Sequence, residues 1–270
     1  MSAPQAPGPF DDSTSYTALI GHTGFVGSNL LRQRPFESTF NSANIDEIAG
    51  RSFDLIVCSG APAEKWKANA DPERDLDNIE RLIRALEQVN TQKLVLISTV
   101  DVFAAPVEVD EDTPAPTAGL SSYGRHRRRL EQVVAGRFDV TIVRLAGLYG
   151  RGLKKNAIHD LLYDHEVYKI DSRAVFQFYD IDRLWADIEI AMRNELALVH
   201  LPTEPVTVAE VARTAFGLEF RNEVSPAPAR YDILTRFGRL FGGGDKYVET
   251  KATELAGIAA FVEAARRTPA

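Results

Sequence analysis

At 270 residues, the chain has room for one large domain, or for one domain with a smaller lobe. It is 44% hydrophobic and 26% charged with a formal net charge of −7, which supports a true core and argues against nonspecific binding to nucleic acid or to an anionic membrane. The one cysteine, Cys58, excludes an internal disulfide and fits a reducing cytoplasm, and no apolar run is long enough to span a bilayer.

Residues 1–15, rich in Pro, Ala, Ser and Asp, read as a disordered tail. A strand is expected over 17–20, a helix over 24–34 closed by Pro35, and a short strand over 38–41. Asn44 reads as the cap of one or two helical turns ending near Gly50. Residues 53–58 form a continuous apolar run, as a parallel strand buried on both faces requires. A small-residue turn (59–63) and a polar lead-in (64–74) follow. Leu76, Ile79, Leu82, Ile83, Leu86 and Val89 then give a helix over 75–89. A second buried strand covers 93–98, an irregular loop 101–122, a helix 123–134 and a strand 139–145. Alternating strand and helix means parallel strands with right-handed crossovers, an α/β doubly wound sheet. The second half is less regular. It reads as a helix (156–164), strands (168–170 and 175–179), a helix (183–193) and a strand (197–201). A helix over 208–216 capped by Thr207, an irregular stretch (226–245) and a helix over 255–266 complete it.

The first turn is Gly21-His22-Thr23-Gly24-Phe25-Val26-Gly27, between a strand and a helix. Glycines permit a tight turn and close approach, and a helix start offers unpaired N–H groups to an anion such as a pyrophosphate. The strand over 93–98 delivers Ser98, Thr99 and Asp101 to the same sheet edge. Tyr123 and Arg127, four residues apart, share a helix face. A fixed cation one turn from a phenol favours the phenolate and lowers its pKa. With the Thr99 hydroxyl beside it, this makes a proton-transfer site suited to a nicotinamide reaction.

These segments resemble the extended short-chain dehydrogenase/reductase family, of the NAD-dependent epimerase/dehydratase type. The resemblance rests on the spacing of Gly21, Gly24 and Gly27, and on Ser98-Thr99-Val100-Asp101-Val102-Phe103. It rests also on Tyr123-Gly124 with a basic residue four positions on and Glu131 later, and on Val143-Arg144-Leu145-Ala146-Gly147-Leu148-Tyr149-Gly150. The 24-residue interval from Thr99 to Tyr123 is similar to the family's. The compact second-strand region resembles the dTDP-4-dehydrorhamnose reductase branch.

The resemblance implies a Rossmann-type sheet over 16–150 plus about 176–201, and a small C-terminal substrate lobe over about 151–175 and 202–270. It implies NAD or NADP held by Gly21, Thr23, Gly24, Phe25, Val26 and Gly27, by Asn41, Ser42, Asn44 and Ile45, and by Ser59, Gly60, Ala61, Ser98, Tyr123 and Arg127. Thr99, Tyr123 and Arg127 would be catalytic; Asp101, Lys154, Asn156 and Gln177 would bind a small-molecule substrate, in this family often a nucleotide-linked sugar. A cytoplasmic homodimer is the implied assembly, with no metal, nucleic acid or membrane partner.

Two departures stand out. Arg127 occupies the lysine position of the family's Tyr-x-x-x-Lys motif, and that exchange is not conservative. The second strand ends in neutral Asn41, Ser42 and Asn44 instead of an acid, with no arginine placed there by the sequence, so both NAD and NADP fit. Two functions are therefore carried forward: an enzyme, or a dinucleotide-binding sensor or scaffold in which residues 125–129 form a solvated basic face. Lys65 reads as a residue of an exposed helix face, Trp66 as a packing residue, and Cys58 as a small buried hydrophobe.

Overall fold

The computed structural model describes residues 16–267; the tail expected over 1–15 lies outside them. The chain divides into two compact units. The first holds the described residues up to Val102 with 117–143 and 183–199, and the second holds 103–116, 144–182 and the residues from His200 on. Residues 103–116, 144–150 and 176–182, expected in the sheet domain, group with the second unit.

The first unit contains β1 (Thr17–Ile20), α1 (Phe25–Gln33), β2 (Ser38–Phe40), β3 (Ser52–Cys58), α2 (Lys65–Ala70), α3 (Pro72–Glu87), β4 (Asn90–Thr99) and α4 (Ser122–Ala135). The six-stranded sheet runs in the order Leu198–His200, Val140–Leu145, β4, β3, β1, β2. β1 pairs in parallel with β2 on one side and β3 on the other, and β3 pairs in parallel with β4. The chain thus starts inside the sheet and winds outward both ways, a switch point at which ligands settle beyond the strand ends. Central residues Leu55, Ile56, Val57, Leu94 and Val95 are fully buried, as their apolar runs require. Cys58 is buried too, and burial pushes its thiol up to about 11, so it is inert at neutral pH.

Three local expectations are corrected here. The polar lead-in is helical, forming α2 and the start of α3. The Asp71 carboxylate accepts the Arg74 N–H at 3.2 Å and Pro72 stands at the first helical position, a start signal present in the sequence and passed over. Trp66 does not pack; it is 66% exposed. Asn44 does not cap. Its amide oxygen accepts the Asn41 N–H at 2.7 Å and its amide donates to the Thr39 carbonyl, while Ile45–Ile48 close a single 3-10 turn.

The second unit is built from two-stranded ribbons. Gly147–Tyr149 lies parallel to Phe178–Asp180, Val206–Thr207 antiparallel to Val175–Phe176, and Val107–Val109 parallel to Asp232–Ile233. Helices Ala157–Tyr163, Val208–Phe216 and Lys251–Arg267 bury Ile158, Val211, Ile258 and Val262 with Tyr149 and Phe178 in one core. Thr207 caps its helix as read, in a reciprocal box with Glu210. The strand expected over 168–170 is instead the 3-10 turn Val167–Lys169, closed by Lys169 N–H donating to the Glu166 carbonyl at 2.8 Å. The strand expected over 175–179 is broken at Gln177. Val107–Val109, inside the stretch read as loop, is a strand.

Candidate active site

The glycine loop follows β1. Gly21 has φ +89°, and a Cβ there would lie 2.5 Å from the Ser59 carbonyl oxygen. A Cβ on Gly27 would overlap the Gly21 carbonyl. These two glycines are demanded by a left-handed turn and by α1 packing onto it. Gly24 stands before α1, which has no side-chain cap and no acid in its first turn. The N–H groups of Phe25, Val26 and Gly27 therefore have no partner inside the helix, and Thr23 and Gly24 are exposed beside them. This end of α1 fits a pyrophosphate in charge and in access. Gly60 and Ala61 continue the turn after β3, where the Ser59 hydroxyl donates to the Ile20 carbonyl at 3.0 Å and ties that turn to β1.

The end of β2 is also locally braced. Asn41 Oδ1 accepts the Ala43 N–H at 2.8 Å, and Ile45 is buried. Arg81, from α3, donates to the Ser42 carbonyl at 2.8 Å and pairs with Asp46. It is the arginine the sequence did not place at this end of the sheet, because 39 residues separate it from Ser42.

β4 and α4 carry the candidate proton-transfer residues. Tyr123 opens α4, whose start is capped by the Ser121 hydroxyl accepting the Gly124 N–H. The Tyr123 N–H donates to Asn69 Oδ1 of α2 at 3.1 Å. Gly124 has no room for a Cβ, which would overlap the Asp101 carbonyl oxygen. Tyr123 is 8% exposed, and burial pushes its phenol above its ordinary value; Arg127 pulls it down, Asp101 pushes it up, and a hydrogen bond with Thr99 and the charge of Lys65 pull it down again. The lowered phenol expected from sequence is thus corrected: desolvation outweighs the cation.

Arg127 explains part of this. It is 3% exposed and grips Asp75 through both terminal nitrogens, the Nη2 bond to Oδ1 being 2.8 Å. It donates also to the Pro62 carbonyl, and its guanidinium lies 4.0 Å from the centre of the Tyr123 ring. His126 Nδ1 lies 2.7 Å from Asp75 Oδ2. Burial opposes the Asp75 charge, but the bonds from Arg127 and His126 win and hold its carboxyl below the usual range. Residues 125–129 are therefore not a solvated basic face: His126 and Arg127 are interior.

Ser98 donates to the fully buried Glu131 at 2.6 Å, so its hydroxyl is oriented by α4. Thr99 Oγ1 accepts the Asp101 N–H at 3.1 Å. Asp101 pairs with Lys65 at 2.8 Å, so Lys65 serves this group and is not merely a residue of a solvated face. Sequence reasoning had no signal for that pair across 36 residues.

Three further candidates lie in the second unit, and two are corrected. Gln177 is 1% exposed; its amide donates to the Thr203 and Ile233 carbonyls and its oxygen accepts the Ile233 N–H at 2.7 Å. With both amide hydrogens and the oxygen bonded to backbone and the residue buried, it clamps strands and has no donor left for a substrate. Asn156 accepts the N–H groups of Ile158 and His159 and donates to the Leu148 carbonyl at 2.8 Å, so it is a helix cap. Lys154 is exposed.

A family model described as the NAD dependent epimerase/dehydratase family matches residues 38–174, about half of the chain. The chain belongs to this NAD-dependent epimerase/dehydratase family. The match spans Thr99, Tyr123 and Arg127 and begins after the glycine loop, so the loop rests on its geometry alone. A search of curated proteins gives no match. Solved structures share the fold. RMD from Pseudomonas aeruginosa complexed with NADPH is similar with TM-score 0.70 at 16% identity, over 92% of this chain and 99% of that one. DesIV, a dTDP-glucose 4,6-dehydratase from Streptomyces venezuelae with NAD bound, gives 0.70 at 16%, over 93% and 97%. The dTDP-4-dehydrorhamnose reductase from Bacillus anthracis in complex with NADP gives 0.70 at 18%, over 93% and 99%. Among the described residues, no His, Cys, Asp and Glu cluster is arranged to hold a metal, and no helix is long and apolar enough to cross a membrane.

Proposed function

We propose that this chain is an NAD(P)-dependent oxidoreductase, epimerase or dehydratase acting at a carbonyl or carbinol carbon of a small molecule, with a nucleotide-linked sugar as the substrate class. The observation that carries it is the convergence of Thr99, Asp101 and Tyr123 in the unit that holds the glycine loop. The dinucleotide, bound at Gly21–Gly27, supplies hydride transfer. Tyr123 holds the proton at its phenol oxygen and Thr99 orients the substrate oxygen beside it. Because burial keeps the phenol above its ordinary value, Tyr123 is protonated at neutral pH and starts as an acid, which suits reduction of a carbonyl. The neutral Asn41 and Ser42, with Arg81 against Ser42, favour the 2′-phosphate of NADP over the free ribose of NAD. Lys154 remains a candidate contact for a diphosphate, and a cytoplasmic homodimer the proposed assembly.

The test is binding of NADH and NADPH to the purified protein by fluorescence, followed by oxidation of bound cofactor with dTDP- and UDP-linked keto sugars. Tyr123→Phe is expected to keep binding and to lose about 10²–10⁴ in rate. A protein that binds neither dinucleotide overturns the proposal. The second reading, a dinucleotide sensor without turnover, is favoured by one observation: Arg127 is held by Asp75 and Pro62 and is not aimed past the phenol. Binding without any turnover of Tyr123-intact protein would select it.

A further inference from the structure

The family's motif places a lysine one turn after the tyrosine, and here the residue at that position is occupied elsewhere. Arg127 bonds Asp75, the Pro62 carbonyl and the Tyr123 carbonyl, and lies over the face of the phenol ring. An arginine stays charged through the whole biological pH range, and this one is 3% exposed.

A second cation stands on α2, the helix that Asn69 ties to the Tyr123 N–H. Lys65, the first residue of α2, has Nζ 2.8 Å from Asp101 Oδ1. The Asp101 N–H is bonded to Thr99 Oγ1, and Thr99 in turn favours the charged form of the phenol. Lys65 and Asn69 are four residues apart, so they share one face of α2. Asn69 fixes that face by accepting the Tyr123 N–H, and Ala68 beside it is buried. Gly124 fixes the other side, since its missing side chain lets the Asp101 carbonyl close onto α4. The side chains of Lys65 and Asp101 are 44% and 19% exposed, so water and a ligand can reach the pair, whereas Arg127 is buried.

We propose that Lys65, paired with Asp101, is the positioning cation for Tyr123, taking over from α2 the electrostatic task of the absent motif lysine. The inference rests on the reading of Tyr123 as the acid/base group. Lys65 favours the phenolate and Asp101 opposes it, so Asp101 gates how much of the lysine charge the phenol receives. Arg127 also faces the ring, and its grip on Asp75 keeps its contribution constant. A substrate that draws the Asp101 carboxylate into a hydrogen bond of its own would release Lys65 toward the phenol and lower the barrier to proton loss.

The experiment labels the tyrosine Cζ carbons of the full-length protein with ¹³C and assigns Tyr123 by Tyr123→Phe. The pH midpoint of its signal is then measured in four proteins. Asp101→Asn is expected to move the midpoint down by about one unit, and Lys65→Met in that background to move it back up. Lys65→Arg in the same background keeps the low midpoint, because its charge is retained. Equal midpoints in Asp101→Asn and in Asp101→Asn with Lys65→Met overturn the assignment. NADPH binding is measured on the unaltered protein at the same time. Its absence overturns the proposed function, whereas an unmoved Tyr123 signal in a protein that binds NADPH overturns only the role of Lys65.

Discussion

Two sets of polar side chains, one in each unit, are used differently. In the second unit, Gln177, Asn156 and Glu254 bond main-chain atoms. Glu254, for example, is fully buried on helix Lys251–Arg267 and accepts the Phe178 N–H at 2.7 Å. In the first unit, Asp75, Arg127 and His126 bond one another, as do Lys65 and Asp101. A side chain whose capacity is filled by backbone holds architecture together. A side chain whose charge is balanced by another side chain, with water in reach, can be rebalanced by a ligand. That difference separates structural from chemical candidates better than residue type, since Gln177 and Asn156 looked equally suited to a substrate.

The contrast can be broken by substitution. Asp75→Ala leaves the Arg127 charge buried without its partner and should cost about 3–5 kcal/mol, read by urea unfolding. A loss under about 1 kcal/mol would mean the pair is replaceable by water. Gln177→Ala removes the partner of three backbone groups and should cost about 2–4 kcal/mol while leaving NADPH affinity unchanged. Altered affinity with intact stability would return Gln177 to the binding site.

Glu254 offers a pH test. Burial pushes its carboxyl up to about 9, with the Phe178 N–H and Thr203 only partly offsetting it. Its folded value is above its unfolded one, so the native state holds the extra proton between them. Stability therefore falls as pH rises from about 5 to about 9, by about 1.4 kcal/mol per unit from this group alone. Glu254→Gln should remove that slope and gain stability at pH 8. A slope that survives would place Glu254 in water in the native state. The smallest effect is expected at the half-exposed pair: Lys65→Met should change stability by about 0.2–1 kcal/mol.

Much of the first unit was legible. Strands such as β3 and β4 are apolar runs because both faces are buried, and glycines 21 and 27 are imposed by backbone contact, so composition alone marks them. The pairing of charges was not legible. Asp75 meets Arg127 across 52 residues, and nothing local announces which of five basic residues over 125–129 turns inward. The strands Val107–Val109 and Asp232–Ile233 were missed because each is too short for alternation to show and exists only through its distant partner. α2 and the first turn of α3 were not legible for a lesser reason: both are polar, although Asp71-Pro72 does mark the start of α3.

The grip of Arg127 on Asp75 also sets an order on sequence change. A lysine restored at position 127 presents one point charge to a buried carboxylate built around a two-pronged donor, and it leaves the Pro62 carbonyl without its bond. Reversal by one step is thus a weakened protein and not a restored motif. Asp75 must keep its charge while either cation stands at 127, because neutralising it first would strand that cation in the interior, so any change on α4 has to precede a change on α3.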